Sequence, residues 1–166
     1  VGFPLENPAN IAPGVEAGPD QTIDLPAQAV LKASACDDGL PSNQRLSTTW
    51  SKVSGPGTVT FTKPTSLESN ATFSATGAYT LRVTVSDSVH TASDTLVVNV
   101  QPGNTAPVVN AGADATDDTC NATLTGTVTD DGKPTTGTLL ITWNKLTGPG
   151  VVTFTAPNSA STNATF

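Results

Sequence analysis

The chain has 166 residues, 7 Lys+Arg against 14 Asp+Glu and a net charge of −7, which excludes the concentrated basic face that nucleic-acid binding needs. No apolar run approaches 18 residues, so no segment reads as a membrane-spanning helix. With 14 Gly and 13 Pro the chain carries too much punctuation for a helical bundle, and its β-branched content is too high for a disordered tail. The absence of Met leads to the expectation of a processed chain or a piece of a longer one.

The elements follow in chain order. Residues 1–11 read as the tail of a preceding element and a linker, much like Val100–Pro107. From Ala12 onward short strands with period-two alternation are separated by turn signals every 8 to 12 residues. Leu31, Ala33 and Ala35 form one inward set, and Leu46, Thr48 and Trp50 the next. Ser54-Gly55-Pro56-Gly57 is a turn. After it come Val59 and Phe61, Ala71 and Phe73, then Tyr79, Leu81, Val83 and Val85, and a last strand over Asp94–Val100.

The pattern then repeats. Asp37–Phe73 returns as Asp130–Phe166 with 21 of 37 positions identical and no gap. The offset is 93 for both Trp50/Trp143 and Phe73/Phe166. Upstream, Ala12–Asp20 matches Ala106–Asp114 at an offset of 94. A period this long is a whole small domain, not a solenoid unit. In the second copy Ala122, Leu124, Gly126 and Val128 alternate with a threonine ladder, and Leu139, Ile141 and Trp143 are expected as the inward set of a strand. The expected organisation is domain 1 at 12–101, a linker at 102–105 that limits inter-domain angles, and domain 2 at 106–166, lacking the last two strands. Both ends read as cut from a longer array, with the alternative that a neighbouring chain supplies the missing strands.

These elements predict an all-β protein of tandem immunoglobulin-like sandwiches, the second incomplete. Trp50 sits on the third strand, where such folds place a core tryptophan, and Tyr79-Thr80-Leu81 resembles the tyrosine corner. The expected core is Leu31, Trp50, Tyr79, Leu81 and Trp143. The ordered motifs Ala-Gly-x-Asp, Asp-Asp-Gly, Trp-x-Lys-x-[Ser/Thr]-Gly-Pro-Gly, Asn-Ala-Thr-Phe and Gly-x-Tyr-x-Leu-Arg-Val-Thr-Val-Ser-Asp together resemble the polycystic-kidney-disease (PKD) type repeat of long surface proteins. The resemblance covers nearly the whole chain from Ala12, and some repeats of that type bind calcium.

Chemistry-bearing residues are few. His90 is the only histidine and lies in a hairpin loop; no metalloprotease helix motif, nucleophile elbow or paired-cysteine metal spacing occurs. The acidic pairs Asp37-Asp38, Asp117-Asp118 and Asp130-Asp131 sit at turns without flanking aromatics for a sugar subsite. The chain therefore reads as a non-enzyme. A calcium site would draw on Asp37, Asp38 and Asp87 at one end of domain 1, and on Asn104, Asp130 and Asp131 at the linker; otherwise Asp-Asp-Gly is turn chemistry alone, and no cofactor is implied. Asn70, Asn121 and Asn163 head sequons and are candidate glycosylation sites. Cys36 and Cys120 are expected at opposite poles of a tandem, beyond the roughly 7 Å Cα limit of a disulfide. They read as unpaired thiols or as an intermolecular bridge in a head-to-tail assembly.

The function expected is an extracellular structural spacer or adhesion repeat of a cell-surface or secreted protein. Its partners would be further repeats or neighbouring subunits, with a surface protein or glycan contact, no nucleic acid and no membrane insertion. Two alternatives come from other classes. One is a filament subunit completed by the next chain. The other is a carbohydrate-binding accessory module of a polysaccharide-degrading enzyme, which needs an exposed aromatic platform; both tryptophans have core parity and only Phe3 is loose.

Overall fold

The computed structural model describes residues 9–41, 45–116 and 119–166, and among them every regular element is a strand. The chain divides into two compact units, residues 1–103 and 104–166.

Unit 1 contains β1 (Gly14–Glu16), β2 (Gln21–Asp24), β3 (Ala29–Lys32), β4 (Ser34–Cys36), β5 (Ser47–Ser54), β6 (Val59–Phe61), β7 (Glu68–Phe73), β8 (Gly77–Ser86) and β9 (Thr91–Gln101). One layer orders β2-β9-β8-β5; the other holds β3-β7-β6 together with the β1-β4 pair. β3 and β4 are one strand interrupted at Ala33, whose N–H donates to Leu67 O (3.0 Å). The interruption lets the strand pair first with β7 and then with β1. Each inner face is apolar at every second residue, as a half-buried pleat requires. Tyr79, Leu81, Val83 and Val85 on β8 are fully buried, as are Ala29 and Leu31 on β3. These two faces, with Trp50, Phe73, Leu96 and Val98, form one core. The result is an immunoglobulin-like sandwich.

Two anchors set its geometry. The Tyr79 hydroxyl donates to Ala75 O (2.8 Å), closing the corner before β8, and its ring lies 4.7 Å from that of Phe73. Gly55 takes φ +121°, and a Cβ there would fall 2.6 Å from Tyr79 Cδ1, so only glycine admits the ring. Lys52 Nζ sits 5.6 Å from the Tyr79 ring centroid and donates to Gly57 O (2.6 Å). The second anchor is Trp50, whose Nε1–H donates to Ser66 O (3.0 Å) while its ring stacks near Phe61.

Unit 2 contains β10 (Val108–Asn110), β11 (Asn121–Thr125), β12 (Thr127–Thr129), β13 (Thr153–Phe154) and β14 (Ser161–Thr165). They pair as β10-β12 and β11-β14-β13, which repeats β1-β4 and β3-β7-β6. The strand break recurs too, with Gly126 N–H donating to Ala160 O (2.9 Å).

The strand expected over Leu139, Ile141 and Trp143 is not formed. The reason lies in unit 1, where the counterpart β5 has β8 as its ladder neighbour and borders no other strand. Among the described residues of unit 2, no strand pairs with the backbone of 140–147. Trp143 is accordingly not a core residue; it is half-exposed, although its N–H donates to Pro157 O (2.8 Å) and its Nε1–H to Ser159 O (2.9 Å) exactly as many residues along as Trp50 does. Leu140 and Leu146 are 88% and 93% exposed.

Leu81→Ala is expected to cost about 2–5 kcal/mol by leaving a cavity in the buried core, whereas Leu146→Ala should stay within about 0.5 kcal/mol. Urea unfolding of the two variants checks this, and equal costs would refute the burial difference between the units.

Candidate functional site

Three segments of unit 1 are tied together by side chains that the turns project. Asp87, 1% exposed, accepts the N–H groups of Val89 (2.7 Å) and His90 (2.6 Å) on Oδ1, as an aspartate heading a tight turn does. On Oδ2 it accepts Asn10 Nδ2 (3.0 Å), with His90 Nδ1 3.6 Å away. Asn10 Nδ2 also faces His90 Nδ1 at 3.1 Å. The next residue, Ile11, donates its N–H to Asp38 Oδ2 (2.9 Å). Asn10-Ile11 therefore straps the Asp38 loop to the Asp87 loop.

The acidic loops are built on local caps. Asp37 Oδ2 accepts Gly39 N–H (3.1 Å), and Asp38 Oδ1 accepts Leu40 N–H (2.9 Å). Gly39 takes φ +79°, which favours glycine. In unit 2 Asp130 Oδ2 accepts Gly132 N–H (3.0 Å), and Asp131 Oδ1 accepts Lys133 N–H (3.0 Å). Asp131 Oδ2 receives both the N–H and the hydroxyl of Thr105 (2.9 Å each), which is the place of Ile11 in unit 1.

The electrostatics follow from these bonds. The His90 N–H, opposed by burial and aided by Val89 and Asn10, holds the Asp87 carboxyl down to about 2. The Thr105 N–H lowers Asp131 in the same way, and the Ala17 N–H lowers Asp94, whose Oδ2 it reaches at 2.8 Å.

Of the six residues considered for calcium, Asp38 and Asp87 are thus joined through Asn10-Ile11, Asp37 caps its own turn, and Asp130 and Asp131 do the same beside exposed Asn104. Among the described residues no three His, Cys, Asp or Glu side chains cluster as a metal site. Asp117-Asp118 and Phe3 lie outside the described residues. Sequence reading missed Asn10, Ile11 and Thr105. The available signal was that Asn10-x-Ala12-Pro13 recurs as Asn104-x-Ala106-Pro107, two residues upstream of where the match was begun.

The remaining candidates are dispersed. Asn70 is half-buried, while Asn121 and Asn163 are exposed on adjacent strands. Their sequons face each other, with Thr165 Oγ1 donating to Asn121 Oδ1 and Thr123 Oγ1 to Asn163 Oδ1 (3.0 Å each). Cys36 ends β4, Cys120 precedes β11, and both are free and exposed. Trp50 is buried under β-structure and offers no platform for a sugar ring. His90 stands half-buried in its hairpin loop.

Residues 17–100 match a family model described as K319L-like, PKD domain. Among solved structures, a PKD domain of human KIAA0319 is similar at 21% identity over 70% of this chain and all of that one, with a TM-score of 0.47. A PKD domain from the KIAA 1837 protein is 22% identical over 58% of this chain and 94% of that one, at a TM-score of 0.43. Domains 4–9 of the surface layer protein SbsC are 14% identical over 96% of this chain and 27% of that one, at 0.41.

Two outcomes are expected from the strap. Because the Asp87 pKa is depressed in the fold, its contribution is present above pH 4 and lost as the pH falls from about 4 to about 2. Asp87→Asn should therefore melt lower at pH 7 and flatten the pH dependence in that window, as thermal melts across a pH series read out; an unaltered slope would remove Asp87 from the acid response. Separately, melts in excess chelator and in millimolar calcium should share one midpoint, since among the described residues no three acidic, histidine or cysteine side chains cluster to hold a cation. A calcium-dependent rise would assign the loops to a cation.

Proposed function

The chain belongs to the K319L-like PKD domain family, and from that premise we propose that it serves as a tension-bearing structural spacer and adhesion repeat of a cell-surface or secreted multidomain protein. PKD domains occur in extracellular proteins and are generally non-catalytic structural modules. Among the described residues no helix is long and apolar enough to cross a membrane. The surface chemistry suits such a role, because a net charge of −7 with few cations favours solubility and disfavours anionic membranes and nucleic acid.

One observation carries the reading. β2, near the start of unit 1, pairs in parallel with β9, its last strand, from Gln21↔Val98 to Asp24↔Gln101. Tension on the two ends of the unit pulls parallel neighbours in opposite directions along their own axes. The inter-strand hydrogen bonds are then loaded together in shear, and none can be unzipped ahead of the rest. Three further bonds reinforce the same seam: Leu25 N–H to Gln101 O (3.0 Å), Val97 N–H to Asp20 Oδ1 (2.7 Å) and Ala17 N–H to Asp94 Oδ2 (2.8 Å). Contacts with partners, protein or glycan, would use the broad polar faces outside this seam.

Single-molecule pulling on the whole chain tests the proposal. Asp20→Ala combined with Asp94→Ala removes two staples without touching the core and should lower the rupture force of unit 1 by more than Val59→Ala does at equal loss of melting temperature. If rupture force tracks melting temperature alone across these variants, the seam bears no special load and the spacer reading loses its support.

A further inference from the structure

The outer face of the β3-β7-β6 layer in unit 1 holds a small pocket of about 150 Å³, lined by Val30, Lys32, Thr62, Lys63, Glu68 and Asn70. Alternation puts Val30 and Lys32 of β3 and Glu68 and Asn70 of β7 on the same outer side, away from the buried Leu31 and Ser69. Lys63 joins them from the turn after β6. That turn is pinned at several points. Ala33 N–H donates to Leu67 O (3.0 Å), Trp50 N–H to Pro64 O (2.8 Å) and Trp50 Nε1–H to Ser66 O (3.0 Å). Lys63 N–H itself donates to Ser69 Oγ (3.1 Å). The backbone around the pocket is thus held in place by the fold.

The charged and amide groups of this pocket have no partners within the protein. Among the described residues no hydrogen bond or ion pair engages the Lys32 or Lys63 ammonium, the Glu68 carboxylate or the Asn70 side-chain amide. Lys32 and Glu68 are direct register partners, yet they form no ion pair. The second repeat carries the same surface without these charges. Ninety-three residues on, Val30, Lys32, Lys63 and Glu68 are replaced by Thr123, Thr125, Ala156 and Ser161. There Thr123 Oγ1 donates to Asn163 Oδ1 (3.0 Å), occupying the amide that corresponds to Asn70. Val30 has no hydroxyl to offer Asn70. Two ammonium groups, a carboxylate and an unpartnered amide therefore occur together in one repeat and are absent together from the other.

We propose that this pocket binds one singly charged sugar of an acidic polysaccharide, with its carboxylate or sulfate ester against Lys32 and Lys63 and its hydroxyls on Glu68 and Asn70. Two ammonium groups against one carboxylate leave a single positive charge, in a chain whose net charge is −7. The pocket is thus a local attractor for one negative charge. Its donor and acceptor types narrow the ligand further. Lysine only donates, an ionised glutamate only accepts, and an amide does both. Free phosphate brings chiefly acceptors and meets Glu68 as a like charge, whereas a charged sugar brings one anionic group for the lysines and hydroxyl donors for Glu68. The volume is well under the roughly 300–1,000 Å³ that encloses a whole small ligand. It takes the charged substituent, and the ring lies over the neighbouring outer residues Thr60 and Thr72, which pair across β6 and β7. The proposal rests on the adhesion part of the function proposed above and is independent of the load-bearing seam.

Isothermal titration calorimetry on the full chain at fixed ionic strength tests it with oligogalacturonate, dextran sulfate, neutral dextran and inorganic phosphate. Oligogalacturonate or dextran sulfate should bind, and the one that does identifies the charged group; neutral dextran and phosphate should not. Lys32→Thr combined with Lys63→Ala installs the residues of the second repeat at exposed positions. It should weaken binding about tenfold or more at an unchanged melting temperature. Glu68→Ala should also weaken it, although that change makes the pocket more positive. Tighter binding by Glu68→Ala, or equal affinity for phosphate, would reduce the pocket to a nonspecific pair of cations and overturn the proposal. Full affinity in the double lysine variant, or no binding of either acidic polysaccharide, would overturn it too. None of these outcomes alters the rupture force of the β2–β9 seam, so the ligand and the spacer reading fail separately.

Discussion

The closed core of unit 1 depends on the ladder between β5 and β8. β8 has a long antiparallel neighbour on each side, β9 on one edge and β5 on the other. It contributes Tyr79, Leu81, Val83 and Val85, all fully buried, to the centre of the core. In unit 2 the outer layer forms with its register and its strand break intact, because β10-β12 and β11-β14-β13 satisfy one another. Residues 140–147 keep their indole anchor to Ser159 but form no strand. Hydrogen-bonding groups of a strand need a neighbour, and an apolar stripe alone does not supply one.

A second regularity is the use of aspartate as an acceptor for backbone N–H groups. Asp20 reaches Val97, Asp38 reaches Ile11 and Leu40, Asp87 reaches Val89 and His90, Asp94 reaches Ala17, and Asp131 reaches Thr105 and Lys133. Loops and strand ends leave N–H groups without ladder partners, and a short carboxylate is the side chain that can turn back to meet them. The acidic balance of the chain is thus in part a structural device. Charge-assisted bonds of this kind are also stronger than neutral ones, which accounts for the lowered pKa of Asp87, Asp94 and Asp131.

Much of unit 1 was legible beforehand because its signals are local. Period-two alternation placed Trp50, Ala71, Phe73 and the four residues of β8 on the inner face, and the Tyr79 corner was readable from a three-residue motif. The strap was not, because Asn10 acts on Asp87 and His90 across 77 and 80 residues, and no pattern in a single sequence marks such a pair. The error at Trp143 is of another kind. Its sequence context is nearly that of Trp50, so inward parity carried over, yet burial belongs to whatever lies opposite, and the opposite strand is not among the described residues. The facing of the Asn121 and Asn163 sequons was equally hidden, since it depends on the β11–β14 register.

The two units together separate what a repeat encodes from what it needs. The Asp-Asp-Gly turn, the indole bond, the lysine over the Gly-Pro-Gly turn and the threonine bonds flanking Asn70 and Asn163 recur with nearly the same distances in both. The indole bond reaches 16 residues along, in unit 1 from β5 to the turn between β6 and β7 of the other layer; the others join residues close in sequence or on adjacent strands of one layer. What does not recur is the inner face of the other layer, whose apolar residues come from β8 and β9. Unit 1 thus combines two kinds of contact: an outer layer whose hydrogen bonds are internal to it, and a β8–β9 hairpin whose apolar residues close the core against that layer. The parallel β2–β9 seam, formed by the second strand of that hairpin, ties the beginning of the unit to its end.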